Sequence, residues 1–151
     1  MPDDTVAVGR AAGYSGTPLA RKLGIGEGSS VVLLGAPEGF EEVLGPLPAH
    51  VSVRRRLPQG GRRTVDVAVL FTTTRSDLER RFTRAASALR PAGGLWVAWP
   101  KRASGVATDL TDNAVRELGL AKGLVDNKVC AVTDVWSGLR FVIRLKDRPD
   151  L

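Results

Sequence analysis

The sequence predicts a single α/β domain built on a doubly wound, mostly parallel β-sheet that ends in an antiparallel β-hairpin. Apolar, strand-like runs alternate with helix-like segments through most of the chain, as in sheets assembled from strand–helix–strand units. Two β-rich runs then close the chain with no helix between them, which is typical of a hairpin. At 151 residues and 43% hydrophobic composition, the chain can bury one core.

The domain is expected over residues 14–146, between a flexible tail at 1–13 and a polar tail at 147–151, because neither tail shows apolar periodicity. A membrane span needs about 18 consecutive apolar residues, and no such run is present. The acidic start MPDDTVAVGR lacks the apolar centre of a signal peptide. The lone Cys130 provides neither a disulfide framework nor metal-ligand spacing, so we expect a cytoplasmic protein without a metal.

The first half of the domain is expected to contain short elements. Thr17 can cap the first helix and Gly24 can end it, while the continuous apolar run after Ser30 is typical of a strand covered on both faces. Gly45 and Pro46 can end the second helix. The predicted elements are a helix over 17–24, a strand over 31–34, a helix over 38–44 and a strand over 51–53.

The second half contains the strongest patterns. Ser76 and Glu79 have the spacing of a capping box before an apolar helical stripe, and Pro91 with the Gly93–Gly94 pair can end that helix. Gly119 is expected to stop the last helix. The predicted elements are strands over 65–71 and 95–100, a helix between them from residue 76, a helix over 111–118, and a hairpin of 128–132 and 139–145 joined through Ser137–Gly138.

The loop after the strand at 95–100 is a candidate binding site, since open α/β sheets place ligands beyond the carboxyl ends of their strands. Lys101 and Arg102 put two cations there, and Ser104, Thr108 and Asp109 precede a predicted helix. Cations beside free backbone N–H groups at a helix start can cradle an anion. The alternative is an ordinary loop in which Thr108, Asp109 or Thr111 caps the helix.

Positive charge is concentrated in one block. Residues 54–102 hold twelve Lys and Arg against three Asp and Glu, whereas the remainder holds ten against thirteen. Within the block, Arg54, Arg55 and Arg56 follow the short strand at 51–53 and form a candidate anion-binding group. Such a block favours anionic small molecules, phosphates or nucleic acid, or serves solubility alone. Few aromatic residues are interleaved with the arginines, so stacking on bases is not predicted.

Residues 89–97, LRPAGGLWV, resemble the Leu-Lys/Arg-Pro-Gly-Gly turn before the fifth strand of Rossmann-like methyltransferases. The order of elements, with its final hairpin, resembles the sheet of the same family. The resemblance implies a reduced Rossmann-like fold and S-adenosylmethionine as a possible cofactor. The diagnostic binding motifs of that cofactor are absent. The family's G-x-G-x-G turn is replaced by 35–39, GAPEG, and its acidic residue after strand two by Arg54–Arg56. Gly35, Pro37 and Glu38 occupy the place of the family's cofactor-binding turn and are candidate ligand-binding residues.

Three longer segments, 13–25, 94–111 and 123–142, resemble motifs of a family of small, actinobacterial-type bacterial proteins described as a domain of unknown function. This resemblance implies the same Rossmann-like, methyltransferase-type sheet. It implies no activity, cofactor or partner.

No residue pattern predicts catalysis, so whether the protein is an enzyme stays open. His50 is the only histidine, and no serine–acid pair accompanies it in sequence. Glu38, Glu41 and Glu42 are either paired carboxylates or negative charge for the first turn of a helix.

The favoured hypothesis is a non-catalytic module that binds an anionic small molecule or a protein partner. It expects Lys101, Arg102 and Ser104 to converge with Arg54–Arg56 on one cleft. The first alternative is a reduced S-adenosylmethionine-dependent methyltransferase with an open pocket beside Gly35. The second is nucleic-acid binding through the block 54–102. A homodimer through an exposed edge strand is also possible.

Overall fold

The computed structural model describes residues 6–10 and 16–148. Within these ranges the strands form one sheet of six, in the order β2-β1-β3-β4-β6-β5. The strands are β1 (Ser30–Leu34), β2 (Ser52–Arg54), β3 (Val65–Phe71), β4 (Leu89–Pro100), β5 (Leu124–Ala131) and β6 (Trp136–Ile143). Strands β1 to β4 run parallel, and β6 pairs antiparallel with both β4 and β5. The α/β class, the mostly parallel sheet and the terminal hairpin are confirmed.

Four α-helices accompany the sheet in the described ranges: α1 (Leu19–Lys22), α2 (Phe40–Leu44), α3 (Arg75–Ser87) and α4 (Asp112–Ala121). Residues of α3 and α4 share one buried cluster, and residues of α1 and α2 share another. Trp99 belongs to the first cluster and Trp96 to the second, as expected for side chains three apart on a strand. None of the described helices has the length and apolar character needed to cross a membrane.

The core fixes the first helix to the centre of the sheet. Trp96 is fully buried, and its indole N–H donates a hydrogen bond of 3.0 Å to the carbonyl of Leu23 at the end of α1. Burying an indole without such an acceptor would cost free energy, so the bond specifies where α1 ends on the sheet. The short helix, which alone would be unstable in water, is held by this tertiary contact.

Part of the expected flexible tail is packed on the domain. The Arg10 N–H donates to Asp134 Oδ1 at 2.7 Å, and the Asp134 N–H donates to the Arg10 carbonyl at 2.8 Å. The Trp136 indole N–H donates to the Ala7 carbonyl at 3.0 Å. These bonds use backbone groups, which leave no periodic pattern in the sequence. Residues 1–5 and 11–13 of the expected tail lie outside the described residues.

Two helix boundaries differ from the predicted ones. The cap of α3 is Thr74, whose hydroxyl accepts from the Asp77 N–H at 3.1 Å, rather than Ser76. Helix α4 runs through Gly119 to Ala121, so this glycine does not end the helix. A Cβ at Gly119 would overlap the ring of Phe141, which is buried on β6. The glycine is required by close helix–sheet packing.

The strand boundaries near glycines also differ. Strand β4 begins at Leu89, before the expected Gly93–Gly94 turn, and its register with β3 shifts between Val65 and Val67. A Cβ at Gly93 would lie 2.8 Å from the carbonyl oxygen of Val65, so only glycine fits this close approach. Gly138, expected in the hairpin turn, lies within β6, and the β5–β6 connection is formed by 132–135.

We predict that Gly119→Ala destabilises the fold by about 1–2 kcal/mol, because an overpacking cost of about 1–3 kcal/mol exceeds the gain in helix propensity of up to about 1 kcal/mol. Chemical denaturation measures this free energy of unfolding. Gly26→Ala is the matched control, since no atom lies within 4 Å of a Cβ there. Equal stability of the two variants would contradict the packing role of Gly119.

Candidate functional site

A cavity of about 470 Å³ opens at the carboxyl ends of β1 and β3. The order β2-β1-β3 places the next strand in the chain on one side of β1 and the following strand on the other. Where consecutive strands lie on opposite sides of the first strand, a crevice forms at the strand ends, which is the usual ligand position in open α/β sheets. We call this cavity the β1–β3 pocket; the residues used below are Gly35, Glu38, Phe71, Thr72, Asp77 and Arg81.

The floor of the β1–β3 pocket is the turn after β1. Gly35, Pro37 and Glu38 all line it, so the structure brings these three candidate residues together. Gly35 has a φ of +67°, and a Cβ there would lie 3.1 Å from both the carbonyl oxygen of Phe71 and Nη2 of Arg81. Both the backbone conformation and the crowding therefore require glycine.

The wall of the pocket is an ionic network on the first turns of α3. The Asp77 carboxylate accepts from the Thr72 hydroxyl at 2.7 Å, from Arg81 Nη1 at 2.7 Å and from Arg80 Nη2 at 2.6 Å. Burial raises the pKa of Asp77, but the hydrogen bonds from Thr72, Arg81 and Arg80 outweigh it and hold the pKa below its ordinary value. Asp77 is therefore an ionised anchor for Arg81.

Arg81 spans the crevice from this anchor. Its Nη1 donates to the Phe71 carbonyl at 3.2 Å as well as to Asp77, so the guanidinium is fixed at the end of β3. A guanidinium has five N–H donors, and those not used by Phe71 and Asp77 remain for a ligand. The arrangement can bind a carboxylate or another anionic group above Gly35.

Two of the predicted ligand residues instead support the wall of the pocket. The Thr108 hydroxyl donates to the Thr73 carbonyl at 2.6 Å, and Asp109 Oδ1 accepts from the Arg75 N–H at 2.7 Å. Asp109 thereby satisfies an unpaired N–H at the start of α3, across 34 positions of sequence. These two side chains hold the β3–α3 turn in place.

The remaining candidates lie elsewhere. Lys101 and Arg102 line a second cavity of about 310 Å³, and the Ser104 hydroxyl donates to the Lys101 carbonyl at 2.6 Å within the loop. Arg54 ends β2, and Arg55 and Arg56 follow it; β2 is three strands from β4, or roughly 14 Å at the usual strand spacing. Arg55 bonds Glu41, with Nε to Oε2 at 3.1 Å. The structure does not bring Lys101, Arg102 and Ser104 together with Arg54–Arg56 in one cleft.

Sequence reasoning missed the β3–α3 side of the pocket. Thr72 and Thr73 directly follow a strong strand, which was a usable signal for a site at its carboxyl end. Asp77 and Arg81 are four apart on a helix and so face the same side, but such pairs are common on exposed helices. Trp136 is buried and also lines the pocket. Within the described ranges, no group of acidic, histidine and cysteine residues could hold a metal ion.

The fold is similar to solved methyltransferase structures. A SAM dependent methyltransferase from Aquifex aeolicus matches with a TM-score of 0.54 and 12% identity, over 82% of this chain and 86% of that chain. Magnesium protoporphyrin IX methyltransferase from Synechocystis PCC 6803 matches with bound SAM (TM-score 0.51, 11% identity, 83% of this chain and 74% of that chain). The structure of the same enzyme with bound SAH matches with a TM-score of 0.50 and 12% identity, over 83% of this chain and 78% of that chain.

These likenesses confirm a methyltransferase-type fold, and at such low identity they concern the fold alone. No protein-family model matches the sequence, and no curated protein matches it significantly. The resemblance to the small bacterial family therefore stays a prediction.

We predict that Asp77→Asn lowers the free energy of unfolding by about 1 kcal/mol at pH 7, since it removes charge-assisted bonds from a partly exposed group. The pKa of Asp77 is lowered by folding, so its stabilisation is complete above the ordinary value of 3.8 and is lost as the pH falls through the folded-state pKa. The difference from the native protein should shrink accordingly in denaturation at acid pH. Glu117→Gln, on the exposed face of α4, is the control. If the stability difference between Asp77→Asn and the native protein does not change with pH, Asp77 is not an ionised anchor.

Proposed function

We propose that the protein binds S-adenosylmethionine in the β1–β3 pocket and is a reduced S-adenosylmethionine-dependent methyltransferase. The observation that carries the proposal is the open cavity beside Gly35, at the crevice between β1 and β3 of a methyltransferase-type fold. A collapsed turn at Gly35 would have left no room for an adenosyl group. The volume of about 470 Å³ is within the range of about 300–1,000 Å³ typical of small-molecule sites.

The backbone of the pocket suits a close-lying cofactor. Gly35 is exposed and has no side chain of its own, and the Arg81 guanidinium lies beside it, so a ligand bound here would contact both. Pro37 has no N–H, so the turn offers one donor fewer than the G-x-G-x-G turn of the resembled family. Phe71 and Trp136, in edge-to-face contact with ring centroids 5.1 Å apart, provide apolar surface at the strand ends.

The charges of the pocket also suit this cofactor, which carries a sulfonium, an ammonium and a carboxylate. Glu38 lines the pocket, and its side chain makes no ion pair or hydrogen bond within residues 6–10 and 16–148. We assign Glu38 to the ribose hydroxyls, in place of the acidic residue that the resembled family has after strand two. Arg81 is assigned to the methionine carboxylate. Arg54–Arg56 do not line the pocket, and Arg55, which donates to the Ala36 carbonyl of the pocket turn at 3.4 Å, is paired with Glu41.

When bound, the cofactor supplies an electrophilic methyl group. The protein's own residues would bind and orient it: Glu38 through the ribose, Arg81 through the carboxylate, and the turn at Gly35 through the backbone. Asp77 is a weak base, because hydrogen bonds from three donors hold its pKa below the ordinary value. The site is therefore suited to acceptors that react without strong general-base assistance.

The favoured hypothesis from sequence, a non-catalytic module, depended on one cleft containing Lys101, Arg102, Ser104 and Arg54–Arg56. The strand order separates these groups, so we prefer the methyltransferase proposal. The doubly wound connection, a cytoplasmic location, membership of the small bacterial family, nucleic-acid binding and homodimer formation remain proposals from the sequence.

A thermal melt with S-adenosylhomocysteine, the product form of the cofactor, tests the proposal. At a hundredfold excess over the dissociation constant, the midpoint should rise by roughly 5–10 °C, because binding to the folded state stabilises it by about 2.7 kcal/mol. Sulfate at equal ionic strength is the control for a general anion effect. Absence of any shift with S-adenosylhomocysteine would overturn the proposal.

Glu38→Gln tests the assignment of the ribose contact. We expect it to weaken S-adenosylhomocysteine binding about tenfold in calorimetric titration, since bonds to an ionised acceptor are stronger than bonds to an amide. Glu42→Gln, an exposed substitution on α2 outside the pocket, is the matched control and should bind normally. If the two variants bind equally well, Glu38 does not hold the ribose.

A further inference from the structure

A second cavity lies at the carboxyl end of β4, between the β5–β6 hairpin and the start of α4. We call it the β4–α4 pocket, lined by Trp99, Lys101, Arg102, Leu110, Val129 and Leu139 among others. It shares no lining residue with the β1–β3 pocket. Its buried residues belong to the cluster of α3 and α4, whereas Phe71 and Trp136 belong to the cluster of α1 and α2. Conclusions about this pocket do not depend on the proposed function.

The floor of the β4–α4 pocket is apolar. Trp99, Leu110 and Leu139 are buried there, so the cavity reaches down to the core. At the open side, Val129 on the edge strand β5 is 67% exposed, one of four large hydrophobic side chains left exposed in the described ranges. Covering this side chain removes apolar surface from water, which favours binding. The floor and Val129 together fit the apolar body of a ligand.

The rim of the pocket carries unpaired positive charge. Neither the Lys101 nor the Arg102 side chain makes an ion pair or hydrogen bond within the described part of the chain. Asp112, the one acidic residue in the described lining, accepts the Asn113 N–H at 2.9 Å. The amino end of α4 adds a partial positive charge beside the same rim. The net potential at the opening therefore favours an anion.

We propose that the β4–α4 pocket binds a small amphipathic anion, an aromatic carboxylate. Its ring would lie on Trp99 and Leu139 and cover Val129, and its carboxylate would lie between Lys101 and Arg102, where a guanidinium can bind it through two N–H groups. A volume of about 310 Å³ is at the lower end of the usual range for ligand sites, and it suits an aromatic ligand with a single ring or two fused rings.

Each half of the ligand is needed for a separate reason. An inorganic anion such as sulfate would pair with the cations but leave Val129 exposed to water and the space above the apolar floor without an apolar ligand. A neutral aromatic would cover the floor but leave Lys101 and Arg102 unpaired beside it. Both classes should therefore bind more weakly than a molecule that combines the two parts.

Calorimetric titration with 2-naphthoate tests the proposal. We expect saturable binding, with the neutral analogue 2-naphthalenemethanol and inorganic sulfate each binding at least about tenfold more weakly. Saturating S-adenosylhomocysteine should not displace 2-naphthoate. Absence of 2-naphthoate binding, equal affinity for the neutral analogue, or displacement by S-adenosylhomocysteine would overturn the proposal.

Variants locate the binding. Lys101→Gln with Arg102→Gln should weaken 2-naphthoate binding about tenfold or more, whereas Arg54→Gln with Arg56→Gln, the same charge change at β2, should leave it unchanged. Val129→Glu adds a carboxylate at an exposed rim position and should also weaken binding without unfolding the protein. The assignment would be overturned if the Lys101/Arg102 double variant and Val129→Glu both kept the native affinity for 2-naphthoate. It would also be overturned if the Arg54/Arg56 control variant lost as much affinity as the Lys101/Arg102 variant.

Discussion

The crevice between β1 and β3 stays open because an ionic network fixes the start of α3 beside a glycine that leaves room for it. The Asp77 carboxylate accepts hydrogen bonds from Thr72, Arg80 and Arg81. Arg81 also donates to the carbonyl at the end of β3, beside Gly35. From the other side, Thr108 and Asp109 hold the turn that leads into α3. A Cβ at position 35 would crowd the Arg81 guanidinium and the Phe71 carbonyl, two members of this network.

Part of the positive charge of the chain is paired with carboxylates of the same chain. Within the block 54–102, Arg55, Arg80, Arg81 and Arg90 each pair with a carboxylate of the same chain. These pairs are partly exposed and contribute little stability individually, but they orient loops and helix ends. Lys101 and Arg102 differ because they line an apolar cavity without a carboxylate partner in the described ranges. Net charge alone therefore does not show which cations are free of a carboxylate partner.

The sequence was sufficient for features set by local pattern. The run at 65–71 coincides with β3, and Gly35 and Glu38 line a pocket as their place after a strand implies. Gly119 and Gly138 were predicted at a helix end and in a turn, because a glycine is typical both of turns and of close packing. In the structure, their packing against Phe141 and Val132 explains the glycines instead. Asp109 was taken for a ligand because its partner, the Arg75 N–H, is distant in sequence.

Binding of an adenosyl cofactor in the β1–β3 pocket can be located by ¹H–¹⁵N NMR of the protein with S-adenosylhomocysteine. We expect shifts in the amide signals of Gly35, Thr72 and Thr73, with the signals of Thr111 and Val129 in the β4–α4 pocket unchanged. A spectrum without shifts at saturating ligand, or shifts confined to the β4–α4 pocket, would contradict it.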